Sequence, residues 1–259
     1  MATRFLIGQG ELLTYDIPAP PIVPSKAHPY TLAQAKEYLV PRMLDTALAM
    51  QALPADACPE DVAVAKLNLH PAYIAKSFFP RDLLRAANLT SVGSRTVRVK
   101  PRSDTRKTAP EVCDTTQLFV AGTRAAFAKL PSIASELVDG SKPGIQLAEI
   151  ETFDPMTIED RIRGEIKATT SVFEVGLHLL PGSGADEVRV RFDRYAKKLG
   201  FEVNHEWQFP VGRMLFLAVA GPASKIPALA RFSLVRAIRT MPAIRGARPM
   251  TRGTPVSVS

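Results

Sequence analysis

The order of structural elements in the second half of the sequence limits the possible folds more than any other feature. The strands predicted there are SVFEVGLHLL, FEVNHEWQF, GRMLFLAVAG and SLVRAIRTM, and the helices are DEVRVRFDRYAKKLG, closed by Gly200, and PASKIPALARF. Strand, helix, strand, strand, helix, strand is the βαββαβ order of a ferredoxin-like unit. The core of this unit is expected to contain Phe173, Val175, Leu177, Phe192, Leu199, Leu215, Leu217, Leu229 and Val235.

The first half repeats the same order with weaker patterns. Its predicted strands are DVAVAKLNLH, LTSVGSRTVRVKPR, TTQLFVAG and IQLAEIETF, of which the second could also be a hairpin around Gly93. Its predicted helices are PAYIAKSFFPRDLLRAAN, around Pro80, and TRAAFAKLPSIASELV. We therefore predict an α+β protein with two ferredoxin-like units in tandem. In each unit, two helices should cover one face of a four-stranded antiparallel sheet.

The remaining segments frame these two units. Residues 1–30 are proline-rich and predict an extended arm, and the apolar spacing that follows predicts a helix with Thr31 as its N-cap. Pro41 is expected to kink or split that helix. The predicted organisation is an N-terminal arm and helix at 1–57, the first unit at 58–153, a linker at 154–170, the second unit at 171–241 and an extended basic tail at 242–259.

The positive charge of the chain is concentrated towards its end. The formal net charge is +8, and the sequence from Trp207 onwards carries eight basic residues and no acidic ones. Either a nucleic acid or an acidic surface of a partner protein would attract such a segment. RNA-binding sheets of this kind stack bases on exposed aromatic rings, and the predicted strand GRMLFLAVAG offers only Phe216. Base stacking is therefore disfavoured, although nonspecific phosphate contact by the tail stays open.

The composition also bears on location and redox chemistry. No apolar run reaches the roughly 18 residues that a membrane span needs, and the start of the chain is too short in apolar residues for a signal peptide. We expect a cytoplasmic protein without a membrane partner. Cys58 and Cys113 lack CxxC spacing, which favours reduced structural thiols.

Residues with the spacing of a catalytic or metal-binding set are not found in the sequence. The four histidines are isolated from one another, and neither HExxH nor GxSxG occurs. His70 is interpreted as a turn residue, and His178 and His205 as satisfied structural residues in strands. PGSGAD lacks the lysine and the spacing of a phosphate loop, so a strand-to-helix turn explains it. We predict no catalytic, cofactor-binding or metal-binding residues.

Several stretches resemble a known family. The second half resembles the N-terminal propeptide of subtilisin-like serine peptidases in FEVGLHLL, FDRYAKKLG and GRMLFLAVAGPASKIPALARFSLVRAIRTMPAIR. The apolar positions of the motif that ends such a propeptide are occupied here by Ile226, Leu229, Phe232, Val235 and Ile238. The first half resembles the long N-terminal region of one bacterial group of these peptidases, in the stretches RFLIGQGELLTYDIPAP, KAHPYTLAQAKEYL, LNLHPAYIAKSFFPRDLLRAANLTSVGSR and TTQLFVAG. Genes of that group lie beside an AAA-type ATPase gene, and the pair is associated with anti-phage defence.

The resemblance implies a regulatory region rather than an enzyme. The family's catalytic domain carries separate Asp, His and Ser motifs, the last resembling GTSxA, whereas GTPVSVS has Pro255 at the place of that serine and ends the chain. By itself the chain is expected to hydrolyse nothing. It would act as an intramolecular chaperone and inhibitor that docks its second sheet on the catalytic domain and places its tail in the active-site cleft.

The residues expected to contact the protease follow from this resemblance. Val256, Val258 and Ser259 would occupy the cleft, and exposed arginines would steer the encounter, namely Arg236, Arg239, Arg245 and Arg248. The partner is a subtilisin-like catalytic domain, with the AAA-type ATPase as a further candidate, and no cofactor is expected. The alternatives are a nucleic-acid-binding adaptor, an ATPase-docking scaffold, and a tail that is only a linker.

Overall fold

The fold contains two separate four-stranded antiparallel sheets. The structure is a computed structural model that describes residues 28–103 and 110–242. The first sheet consists of β1 (Val62–Leu69), β2 (Thr90–Val99), β3 (Cys113–Thr123) and β4 (Ile150–Pro155), and the second of β5 (Val172–His178), β6 (Glu202–Val211), β7 (Met214–Ala220) and β8 (Val235–Thr240). Their strand orders are β2-β3-β1-β4 and β6-β7-β5-β8. Since both follow the ferredoxin-like order, the predicted fold class is confirmed.

Four helices pack on one face of the first sheet. They are α1 (Leu32–Gln51), α2 (Arg81–Ala86), α3 (Arg124–Glu136) and α4 (Lys142–Ala148). The Thr31 hydroxyl accepts a hydrogen bond from the Gln34 backbone, and the Gln34 side chain accepts one from the Thr31 N–H, which confirms the predicted N-cap. The helix runs through Pro41 without being split. Because α1 packs against α3 and β4, it contributes to the core of the first unit.

Two predictions for the first unit were wrong in detail. The segment predicted as the strand IQLAEIETF is divided between α4 and β4, because Ser141 accepts a hydrogen bond from Gly144 N and starts a helix there. The helix predicted around Pro80 is confined to α2. The residues before it form two short 3-10 turns at Pro71–Tyr73 and Lys76–Phe78.

The second unit matches its prediction closely. Helices α6 (Ala185–Lys198) and α7 (Ile226–Leu229) cover one face of its sheet. Of the nine expected core residues, eight are buried and Leu199 is partly buried. Acidic residues begin α6 and lysines end it, which is the favourable orientation for the helix dipole. Gly200 follows the helix at φ +83°, where a glycine is favoured.

The segment between the two units is packed rather than free. A short helix, α5 (Ile158–Arg161), lies within the predicted linker, and Ile162 forms a parallel bridge with Ile238 of β8. The guanidinium of Arg161 is buried and donates hydrogen bonds to the carbonyls of Ala230 and Phe232, at 2.7 and 2.6 Å. The linker therefore packs on the second unit.

None of the helices in the two described ranges combines the length and the apolar character that crossing a bilayer requires.

Candidate protein-docking site

One face of the second sheet is turned away from its helices. Along β5, Phe173, Val175 and Leu177 are buried against α6 and α7, so the alternate residues point the opposite way. The strand register shows which residues of the neighbouring strands lie on the same surface as these alternate residues. We call this surface the open face; its residues are Glu174, Gly176, His178, Phe209, Val211, Met214, Phe216, Ala237 and Arg239.

Large apolar side chains are exposed on β6, at the edge of the open face. Phe209 is 62% exposed and Val211 63% exposed, and they lie opposite Phe216 and Met214 of β7. Trp207, the only tryptophan of the chain, is 49% exposed in the same strand. Exposed apolar residues that cluster in this way are typical of an interaction surface.

A bulge controls how β6 presents these side chains. The register shifts between Asn204 and Gln208, and the Asn204 side-chain oxygen accepts hydrogen bonds from the backbone N–H groups of Glu206 and Trp207, at 2.9 and 3.2 Å. Bulges twist an edge strand and limit its pairing with other strands. Pro210, which has no N–H, limits such pairing further. The strand therefore offers its side chains to a partner more readily than its backbone edge.

Gly176 allows the middle of the open face to pack closely. A Cβ atom at this position would lie 3.0 Å from Met214 Cε and 3.2 Å from Phe216 Cε1. The side chains of Met214 and Phe216 therefore lie across β5 in the space that another residue would fill. The result is an apolar surface that continues from β6 across β7 to β5.

The first unit covers one end of the open face. The ring of Phe119 on β3 lies 5.4 Å from the His178 ring, centroid to centroid, and His178 is only 1% exposed. The Arg236 guanidinium carbon lies 3.3 Å from the Phe119 centroid. The expectation that Arg236 is an exposed steering charge is therefore wrong. Its side chain is a contact between the two units.

The covered end has unusual electrostatics. Burial, together with the positive charges of Arg236 and Arg161, lowers the pKa of His178 to about 3. The Val92 backbone acts weakly in the opposite direction, but neither ring nitrogen has a well-formed hydrogen bond within the described residues. His178 is thus a buried strand residue, as predicted, but its ring is less completely hydrogen-bonded than the prediction assumed. Burial and the charge of Arg163 also lower the pKa of Arg236, to about 10.

Of the remaining predicted contact residues, Arg239 lies at the uncovered end of the open face, and the others lie outside the described residues. Arg239 is exposed and forms an ion pair with Glu174 across β8 and β5, and its hydrogen bond to Glu174 raises the pKa of Arg239. Its charge is thus neutralised by a neighbour, which weakens any steering effect. The other predicted contacts lie outside the described residues; they are Arg245, Arg248, Val256, Val258 and Ser259.

The sequence carries a signal for these exposed residues. Trp207, Phe209 and Val211 recur with the period of two that places side chains on one face of a strand. The predicted strand GRMLFLAVAG indicated Phe216 alone, not its neighbours on β6. Trp207, Phe209 and Val211 are all apolar in a strand whose other face is partly polar, which is the pattern of an exposed apolar edge.

A second group of polar residues is brought together in the first unit. His28 stacks on Tyr73 at 5.8 Å, and His70 meets the same ring edge-on at 6.2 Å, so these two histidines are not isolated. His70 Nδ1 accepts from Ala72 N–H, which leaves Nε2–H to donate to the Ser103 carbonyl at 2.9 Å. His70 also caps the 3-10 turn that follows it, which confirms its turn role. This arrangement joins chain segments and leaves the His70 ring fully bonded.

No group of three or more potential metal ligands occurs within residues 28–103 and 110–242. Comparison of the chain with protein-family models, curated proteins and solved structures finds no match. The fold and the open face are therefore the observations from which a function can be inferred.

Proposed function

We propose that this chain is the non-catalytic N-terminal region of a subtilisin-like serine peptidase. In this role it docks the open face of its second sheet on the catalytic domain, assists folding of that domain and inhibits it. The full-length protein is then a cytoplasmic serine endopeptidase involved in anti-phage defence. An AAA-type ATPase is a further partner in this proposal.

The exposed apolar strip on β6 and β7 is the observation that carries the proposal. Phe209 and Val211 are exposed in a sheet whose opposite face is already filled by α6 and α7. An antiparallel sheet with one free apolar face can pack on another protein as it would on its own helices. The resemblance of this unit to a propeptide suggests that the occupant is a peptidase catalytic domain.

The position of β8 is compatible with inhibition by the tail. β8 lies at the opposite edge of the second sheet from β6, and the described chain ends at Pro242, two residues after this strand. Residues 243–259 would continue into the active-site cleft as a product-like segment, with Val256, Val258 and Ser259 nearest the catalytic residues. The basic residues of this tail would favour a cleft with acidic walls.

The proposal is tested by adding the chain to the isolated subtilisin-like catalytic domain and measuring hydrolysis of a chromogenic peptide. The intact chain should slow hydrolysis. Replacing Phe209 and Val211 together with serine should weaken inhibition by about tenfold or more, since each loses an apolar contact worth roughly 1–2 kcal/mol. Val190→Ser, an exposed valine on α6 that is away from the open face, is the matched control and should inhibit normally.

Deletion of residues 242–259 separates the docking role from the cleft role. The deleted chain should still bind but should lose most of its inhibition. Full inhibition by this fragment would mean that the tail is only a linker. Absence of inhibition by the intact chain, or equal loss in Val190→Ser, would contradict docking through the open face.

A nucleic-acid-binding adaptor is a second candidate, because Trp207, Phe209 and Phe216 place three aromatic rings near one sheet surface. Glu174 on the open face and Glu206 in the bulge oppose it, since both would repel phosphates. Binding of a single-stranded oligonucleotide that requires Trp207 and Phe209 and disappears at a few hundred millimolar salt would favour this function over the first.

A further inference from the structure

A groove on the first unit has features that the docking role leaves unexplained. It lies between α2 and β2 and has a volume of about 720 Å³. Leu84, Leu89 and Leu118 form an apolar floor that continues into the core of the first unit. The lining contains three arginines and no acidic residue; they are Arg81, Arg85 and Arg213.

The arginines of the groove are not neutralised by the protein. Arg81 and Arg85 are exposed and lie four residues apart on α2, where like charges repel each other. No ion pair or hydrogen bond of either side chain occurs within the described residues, whereas Arg42, Arg124 and Arg191 pair with carboxylates. An anionic ligand would relieve the repulsion between these two charges.

Arg213 reaches the groove from the second unit. It lies in the two-residue turn between β6 and β7, and its Nη1 donates to the carbonyl of Ser91 at 3.0 Å. That bond fixes the direction of the side chain without neutralising its charge. The groove therefore has positive charge at both ends, from α2 at one end and from the β6–β7 turn at the other.

The wall of the groove is an edge strand. β2 pairs with β3 alone, and the carbonyls of Ser91 and Ser94 point away from β3 and accept from arginine side chains. Gly93, at φ +147°, interrupts the register next to them, and nothing lies within 4 Å of the position that its Cβ would take. Because these carbonyls are already bonded to the second unit and a bulge interrupts the strand, a partner would contact the groove through its side chains rather than through the strand edge.

We propose that this groove binds an acidic segment of another protein. Its carboxylates would contact Arg81, Arg85 and Arg213, and its apolar side chains would pack on the leucine floor. Charge complementarity and the apolar floor together favour an acidic peptide. A nucleic acid strand would find little ring surface for stacking, because the aromatic residue in the lining, Phe79, is partly buried. This proposal does not depend on the peptidase-docking role.

The test is fluorescence anisotropy of the full chain with a short fluorescein-labelled peptide of alternating glutamate and valine. The peptide should bind, and a lysine–valine peptide of the same length should not. The double variant R81A/R85A should raise the Kd by about tenfold or more, as loss of charge-assisted contacts does. The matched control R194A/R231A removes two other exposed arginines without an ion pair and should change the Kd by less than about twofold.

A second probe tests the leucine floor directly. The same peptide with serine in place of each valine keeps its carboxylates but loses its apolar contacts, and should bind about tenfold or more weakly. Equal affinity of the serine peptide would overturn the leucine floor as part of the site. Equal losses in R81A/R85A and R194A/R231A would overturn the groove as the site. Tighter binding of a thymidine oligonucleotide with the same arginine dependence would overturn the choice of a peptide.

Discussion

Acidification should weaken the fold through His178, which is buried between the two units. Its pKa is about 3 in the folded protein, against an ordinary value of 6.5. A lowered folded-state pKa means that protonation favours the unfolded chain, which binds more protons. The stability that depends on neutral His178 is therefore complete above pH 6.5 and is lost progressively as the pH falls towards 3.

The size of this effect follows from the two pKa values. Each pH unit between them costs about 1.4 kcal/mol, so lowering the pH from about 8 to about 5 should remove roughly 2 kcal/mol from the free energy of unfolding. The charges that face the ring also predict a loss of stability at low pH, because Arg236 and Arg161 both repel a protonated imidazole. A loss of this size is a large part of the stability of an ordinary domain.

The measurement is urea unfolding followed by circular dichroism at several pH values, for the wild type and for His178→Leu. The variant lacks the titrating ring, so its free energy of unfolding should fall with pH by roughly 2 kcal/mol less than that of the wild type. His205→Leu, in the exposed bulge, removes a histidine without touching the contact between the units and should behave as the wild type does. The same pH dependence in wild type and His178→Leu would refute the reasoning.

Two further predictions concern stability alone. Leu217→Ala on β7 should lower the free energy of unfolding by roughly 2–5 kcal/mol, as removal of a fully buried leucine does; an unchanged thermal midpoint would contradict its place in the core. Thr31→Ala should lower the free energy of unfolding by about 0.5–2 kcal/mol because the capping box of α1 is lost, whereas Thr31→Ser should keep most of that stabilisation. Equal thermal midpoints of the two variants would argue against the cap.

The sequence was sufficient for the fold because its local signals agreed with one another. Alternation along VAVAKLNL and the apolar spacing of α6 each identified an element, and the repeated order then implied the topology. The division of IQLAEIETF was missed because its apolar residues fit a strand and a buried helix equally well over so short a length. Only the Ser141 cap, which lies before that segment, distinguishes the two.

The candidate sites were harder to predict because they depend on contacts between the units. Arg236 looks like any surface arginine in SLVRAIRTM, and only the position of Phe119, more than a hundred residues earlier, makes it a partly buried contact. His178 likewise fits a strand pattern, and its low pKa arises from Arg161 and Arg236, which lie on other elements. Long-range contacts of this kind leave no local pattern in the sequence.

The β6–β7 hairpin relates the two proposed sites to each other. Val211 belongs to the open face and Arg213, two residues later, to the groove, and Gly212 between them has the positive φ (+58°) that a two-residue hairpin turn requires. The turn is also held against the first unit, since Arg213 donates to the Ser91 carbonyl of β2. A partner that moves this turn at the open face would therefore move Arg213 relative to Arg81 and Arg85. Occupancy of either site would then change the affinity of the other by the same factor, because such coupling is reciprocal at equilibrium.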